Sequence, residues 1–208
     1  MNNDVTFFIF DIVVVIFSVI IHEVSHGYVA ERLGDPTARM AGRLTLNPVS
    51  HIDPVGSILV PALLHFSGAP MIGWAKPVPY NPNNLRDPIG GGAKIAAAGP
   101  LSNLALAAIF AVLIRFLGTT SAVSYFFSWI VLRNIGLAIF NLLPIPPLDG
   151  SKVLFALLPR TESGYTIMSA LEQYGFFVLI IFVFSPFGSV IVPVISTLFT
   201  LFTGQQLR

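Results

Sequence analysis

His22-Glu23-Val24-Ser25-His26 sets two histidines four residues apart with a glutamate beside the first. On a helix, residues at that spacing share a face one turn apart, so both imidazoles can reach a single metal ion. Glu23 then lies next to the first ligand, where its carboxylate can take a proton from a water activated by the metal. The setting sharpens this reading. Residues 5–24, VTFFIFDIVVVIFSVIIHEV, are long and apolar enough to cross a bilayer as a helix. Ionisable groups inside such a helix are costly and point to function.

A catalytic zinc takes three protein ligands and keeps its fourth position for water. The chain has no cysteine, so a thiolate ligand and any disulfide are excluded. His51, His65 or a carboxylate remain, and Asp149 is the strongest of these. It follows Phe140-Asn141-Leu142-Leu143-Pro144-Ile145-Pro146-Pro147-Leu148, where three prolines break an apolar helical run that begins near Tyr125. Irregular backbone at membrane depth is tolerated only where it packs in protein or lines a wet cavity. Asp149 therefore reads as a ligand delivered by an unwound helix end. Its alternative is a cap for a helix opening at Ser151 and Lys152.

The elements that must position these groups are membrane spans. Hydrophobic residues make up 54% of the chain and charged residues 10%, and the mean hydropathy is +0.80, whereas soluble domains carry about 25% charge. No Lys or Arg precedes the first apolar run and the motif lies inside it, so that run is expected to stay in place and not to be cleaved as a signal peptide. The first span is predicted over residues 5–29, the second over 92–117 and the third over about 125–143. Residues 172–184 and 188–202 supply one or two more. The fold class is an all-α polytopic membrane protein with a core of three transmembrane helices. A surface or re-entrant insertion is expected over about residues 35–91. Within it, residues 42–46 and 74–80 are bounded by Pro or Asn and read as a small β-type hairpin or sheet edge.

Parity assigns the short apolar run at residues 55–66. His22 and His26 lie toward the end of their helix and Asp149 at the end of its own, so the two helices must run parallel to meet at one ion. An odd number of crossings then separates them, and residues 92–117 supply one. Residues 55–66 become a re-entrant or interfacial segment. With the first helix running outside to inside, Arg32, Arg39, Arg43, Lys76, Arg86, Lys94, Lys152 and Arg160 fall on the cytoplasmic side and Arg115 near the outer face. The metal would sit toward the cytoplasm.

Three blocks, HEVSHGYVAERLG (22–34), AAAGPLSNLALA (96–107) and FNLLPIPPLDGSKVL (140–154), resemble the site-2 proteases, which are intramembrane zinc metalloproteases. They occur in that family's order. The stretches at 42–48 and 73–82 are similar to its compact prokaryotic branch, and no PDZ-like or CBS-like module is evident. Ser25 stands where many relatives carry another small residue. The resemblance implies one Zn2+ per chain on His22, His26 and Asp149, with Glu23 as general base. Asn141, eight residues before Asp149, would by the same resemblance donate to the scissile carbonyl or oxyanion. Its alternative is to satisfy backbone groups freed by the prolines.

The implied activity is zinc-dependent endoproteolysis within the transmembrane segments of membrane proteins. The substrate would be a single-span membrane protein, met in the lipid and unwound locally, with the β-type edges capturing it by strand addition. A single domain over residues 1–208 would carry the whole activity, with self-association into a homo-oligomer left open. A net charge of +1 and no phosphate-binding loop leave no nucleic-acid partner. A transporter is the rival class, since broken helices with buried acids also build ion sites, but transport needs no general base beside a ligand. Other polar residues read two ways. Arg133 either reaches the outer interface or pairs within the bundle, and Asp11 is similarly open. His51 and Asp53 either bind a second metal or belong to turn chemistry before Pro54. Asn103, with Gly99 and Ser102, reads as close helix packing, and His65 as an interfacial or packed histidine.

Overall fold

Long apolar runs closed by caps and proline breaks make every regular element among the described residues a helix. The computed structural model describes residues 2–67, 73–118 and 121–207. Its helices are α1 (Asn2–Arg32), α2 (Thr37–Met40), α3 (Val60–Ser67), α4 (Pro88–Leu117), α5 (Ala122–Asn141), α6 (Asp149–Leu157), α7 (Glu162–Phe184) and α8 (Ile191–Thr203). Four of them, α1, α4, α5 and α7, are long and apolar enough to cross a membrane. The chain is a multi-pass membrane protein.

Local sequence fixes the helix ends. Asp87 accepts the Gly90 N–H at 3.2 Å with Pro88 in the first position, which opens α4. Ser121 and Thr161 cap α5 and α7 in the same way. Ala107, Ala111 and Ile114 of α4 lie buried against Val131 and Ile135 of α5, and Phe199 of α8 completes the cluster. In lipid, apolar burial alone does not drive helices together, so such small residues at the contact matter through close packing.

Cross-links fix the directions. Phe7 packs on Tyr125 and Ser18 bonds to Asn134, so α1 and α5 run parallel, while His22 meets Asn103 and His26 meets Ile95, so α4 runs antiparallel to α1. Arg160 reaches Asp87 at the start of α4, while Arg115 at its end donates to Leu201 and Phe202 carbonyls, each at 2.8 Å. Helices α7 and α8 therefore carry the chain together from one end of α4 to the other. The wide turn Pro54–Leu59 and α3 make fourteen residues, which at about 1.5 Å each reach about 21 Å. A hydrocarbon core of about 30 Å needs more, so this segment is too short to be a crossing.

The expected β-type insertion does not form: no strand occurs among the described residues. Residues 74–80 are extended but pinned one amide at a time, Trp74 N–H to Gly56 O at 3.1 Å and Lys76 N–H to His51 O at 2.9 Å. Pro77 and Pro79 remove the donors that a ladder on the other edge would need. The Arg43 guanidinium, buried beneath, donates to the carbonyls of Lys76 at 2.5 Å and Pro77 at 3.4 Å. Gly42, at φ +65°, turns the chain where a strand was predicted. Strand addition therefore has no regular edge here. The strap is held instead by Asp35, which is fully buried and accepts from Thr37, from Asn84 Nδ2 at 2.7 Å and from the Asn81 N–H at 2.6 Å.

Two outcomes follow from this arrangement. Burial alone would raise the Asp35 carboxyl, but the bonds from Thr37, Asn84 and Asn81 outweigh it and hold the group below its ordinary value. A carboxyl depressed in the folded state adds stability above its unfolded pKa of about 3.9 and loses it as pH falls through the folded value. The thermal midpoint of the parent should exceed that of Asp35→Asn by a constant margin between about pH 5 and 7, and the margin should shrink as pH falls below about 4. A margin independent of pH would show that the carboxylate charge is not what holds the strap. For topology, single cysteines at Arg39 and Arg160 should react with an impermeant maleimide from one membrane face, and one at Gln206 from the other. Labelling of all three from one face would refute the passage of the chain across the membrane between Arg160 and Gln206.

Candidate metal centre

Two adjacent turns of α1 carry His22 and His26, whose rings stand 4.7 Å apart and nearly perpendicular at 87°. Their Nε2 atoms converge on one carboxylate oxygen: Asp149 Oδ2 lies 3.0 Å from His22 Nε2 and 3.3 Å from His26 Nε2. Both outer nitrogens are occupied. His22 Nδ1 meets Asn103 Oδ1 at 2.6 Å, and His26 Nδ1 meets Ile95 O at 2.6 Å. Since a carbonyl oxygen only accepts, each Nδ1 carries the hydrogen, and the neutral form of each ring keeps its lone pair on Nε2, where it can serve a metal. Two such nitrogens and a carboxylate oxygen form a donor set that suits a four-coordinate divalent cation.

Glu23 belongs to the same cluster, its ligating oxygen within 4.8 Å of those nitrogens. Glu23 Oε2 accepts the Val78 N–H of the strap at 2.8 Å, and among the described residues no hydrogen bond to Oε1 occurs. The strap closes on α1 because position 27 is glycine: a Cβ there would press on Val78 Cγ1 at 2.9 Å and on Leu44 at 2.5 Å.

Asp149 reaches the histidines because the helix breaks before it. It is the first residue of α6; Leu148 holds the cap position and no side chain caps that end, so the capping alternative for Asp149 fails. A side chain at Gly150 would strike the carbonyl of Leu142, and one at Gly175 on α7 would press on Pro146 at 2.7 Å, so both glycines let the proline run pack closely.

The remaining polar residues resolve individually. Asn141 ends α5 and turns one amide hydrogen back to Leu137 O at 2.9 Å. Arg133 pairs with Asp11 through two bonds of 2.6 and 2.7 Å and lies 5.0 Å from the Trp129 ring, so within the span the pairing alternative holds. His51 and Asp53 do not converge on a metal: His51 Nε2 bonds to Thr45 O at 2.9 Å, and Asp53 Oδ1 accepts from Val55 and Gly56 as a cap. The His65 side chain lies outside the described residues.

Comparison with known proteins bears on what such a cluster is for. The "Putative zinc metalloprotease YwhC" of Bacillus subtilis is 39% identical over 188 residues, covering 86% of this chain and 81% of that protein. The profile of Peptidase family M50 matches residues 117–186, the stretch that contains Asp149. The chain belongs to peptidase family M50. It is therefore a metallopeptidase by family. A second relative, the "Putative zinc metalloprotease Rip2" of Mycolicibacterium smegmatis, is 30% identical, covering 82% of this chain and 65% of that protein. No solved structure matches the chain.

Asn103 is the residue that sequence reasoning undervalued. It was expected to pack, yet it is fully buried and bonded to His22. Its signal was its place four residues after Gly99, on the same face of α4. Gly99 is itself specific to the site: a Cβ there would lie 2.5 Å from His22 Nε2 and 2.6 Å from two ring carbons. Gly→Ala ordinarily favours a helix by about 1 kcal/mol. Gly99→Ala should nevertheless reduce the metal retained by purified protein by roughly tenfold, the scale seen when the support of a ligand is disturbed. Full metal content would mean that the His22 ring has room to move.

Proposed function

We propose that His22, His26 and Asp149 hold one zinc ion and that Glu23 is the general base of an intramembrane endopeptidase. The observation that carries this reading is the convergence of both Nε2 atoms on Asp149 Oδ2, beside the Glu23 carboxylate. The names of the M50 relatives support zinc as the metal.

When bound, zinc supplies a Lewis acid that makes water a competent nucleophile near neutral pH. Glu23 Oε1 takes the proton from that water, while the Val78 N–H stabilises the other carboxylate oxygen. The same carboxyl then returns the proton to the departing amine. Asn141 lies at the end of α5, and its second amide hydrogen is available to the scissile carbonyl or oxyanion. The substrate is the transmembrane segment of a membrane protein with a single span, unwound locally to expose its peptide bonds. The whole chain acts as one membrane-embedded domain. Arg32, Arg39, Arg43, Lys76, Arg86, Lys94, Lys152 and Arg160 all belong to the end of the bundle that holds the site, which supports a cytoplasmic orientation for it.

Changing Glu23 to Gln keeps size and helix compatibility but removes the basic carboxylate. The variant should retain about one zinc per chain, as stoichiometric binding to three intact ligands requires. Cleavage of a single-span substrate should fall by roughly a hundredfold or more. His22→Ala and Asp149→Ala should instead lose the metal itself. Near-normal cleavage by zinc-loaded Glu23→Gln would sink the general-base assignment, and full zinc retention in Asp149→Ala would sink the ligand set.

A further inference from the structure

We infer that Asn134 and Ser18 are positioning residues for the metal centre, acting through Asn103 to fix the ring of His22. The inference rests on the zinc-binding reading above. Asn103 on α4 and Asn134 on α5 are fully buried, and Ser18 on α1 nearly so. Asn103 Nδ2 donates to the Ser18 backbone O at 3.1 Å and to Asn134 Oδ1 at 2.9 Å. Asn134 Nδ2 donates to Ser18 Oγ at 3.0 Å and to Ile130 O at 2.9 Å.

Each amide has two N–H hydrogens, so all four are committed. The carbonyls of Ser18 and Ile130 can only accept. Neither amide can therefore turn over without setting oxygen against oxygen. That leaves Asn103 Oδ1 facing His22 Nδ1 at 2.6 Å, and the hydrogen must sit on Nδ1. In the neutral ring that ligates a metal, the lone pair is then on Nε2, the atom turned toward Asp149.

The two histidines differ in how they are held. His26 leans on Ile95 O, a backbone acceptor that the helix itself immobilises. His22 leans on a side-chain amide, which can rotate. The bonds that Asn103 Nδ2 donates to Asn134 Oδ1 and to Ser18 O remove that freedom. Ser18 also lies one turn before His22 on the same face of α1, so one helix supplies both the ligand and part of the lock.

Interhelical amide bonds can also serve simply to join helices in a membrane, and the test must separate the two roles. Zinc affinity of the full-length protein in detergent is measured by chelator competition, beside the thermal midpoint of the metal-free protein and the visible spectrum of the cobalt-loaded form. Asn134→Leu should weaken zinc binding roughly tenfold or more and alter the cobalt spectrum. In an Asn103→Ala background it should weaken binding no further, because the effect passes through Asn103. Zinc affinity within about twofold of the parent, or a loss that adds to that of Asn103→Ala, would overturn the inference. If Asn134→Leu does not fold, Ser18→Ala removes one acceptor alone and must still weaken zinc binding; unchanged affinity there overturns it equally. A parent that binds no zinc would overturn the metal reading and this inference with it. A parent that binds zinc through His22, His26 and Asp149 but is indifferent to Asn134 overturns only the relay.

Discussion

Imidazoles and carboxylates held at membrane depth have no bulk water to answer them, so each must find its partner within the protein. That constraint accounts for most of the arrangement around the site. His22 is met by Asn103, His26 by Ile95 O, Glu23 by the Val78 N–H, and Arg133 by Asp11. Each partner comes from a different part of the chain than the group it serves. The helices must therefore approach closely, and glycine at position 99 is what allows α4 to lie against the His22 ring. Small residues along α4 serve the chemistry and the packing at once.

The proline run before Asp149 solves a different difficulty. A continuous helix would carry position 149 past the histidines, whereas a broken one can bring it back. Breaking a helix in a membrane frees carbonyls that must be covered. Here Leu142 N–H returns to Ala138 O at 3.0 Å and Leu148 N–H to Ile145 O at 3.0 Å, so short turns recover part of the lost bonding. Gly150 and Gly175 allow neighbouring backbone to press against the run from two sides. Asp149 is thus delivered to the histidines by a segment that is irregular but densely packed.

What could be read from sequence followed from how local its cause was. The histidine pair, the broken helix and the apolar spans are each encoded within one stretch of chain, and the parallel course of α1 and α5 followed from joining them. The strap at residues 74–80 was misread because its Pro and Asn boundaries imitate those of a strand, while its true partners, Gly56, His51 and Glu23, and Asp35 at the adjoining Asn81, are scattered from 35 to 56 and back to α1. Asn103 and Asn134 were invisible as a relay for the same reason: nothing in either helix alone says that two amides face one another. Pairings between distant segments are where pattern reading stops, as Arg133 also illustrates. Its cost in a span was legible, but Asp11 as its partner was not.

The strap bears on how the chain divides. Residues 35–91 look like an insertion between the first two long spans, and an insertion could be a separable module. The bonding argues against that. Asp35 fixes Asn81 and Asn84, His51 O and the Arg43 guanidinium fix Lys76, and the next free amide along the strap is the Val78 N–H that meets Glu23. Because Pro77 and Pro79 flank Val78, its amide is the one donor in that tripeptide, and it is directed at the glutamate. Removing the insertion would take away the group that holds the carboxylate, while His22, His26 and Asp149 would keep theirs. The cluster of His22, His26 and Asp149 is a property of the helical bundle, whereas the placement of Glu23 is a property of the bundle and its surface strap together.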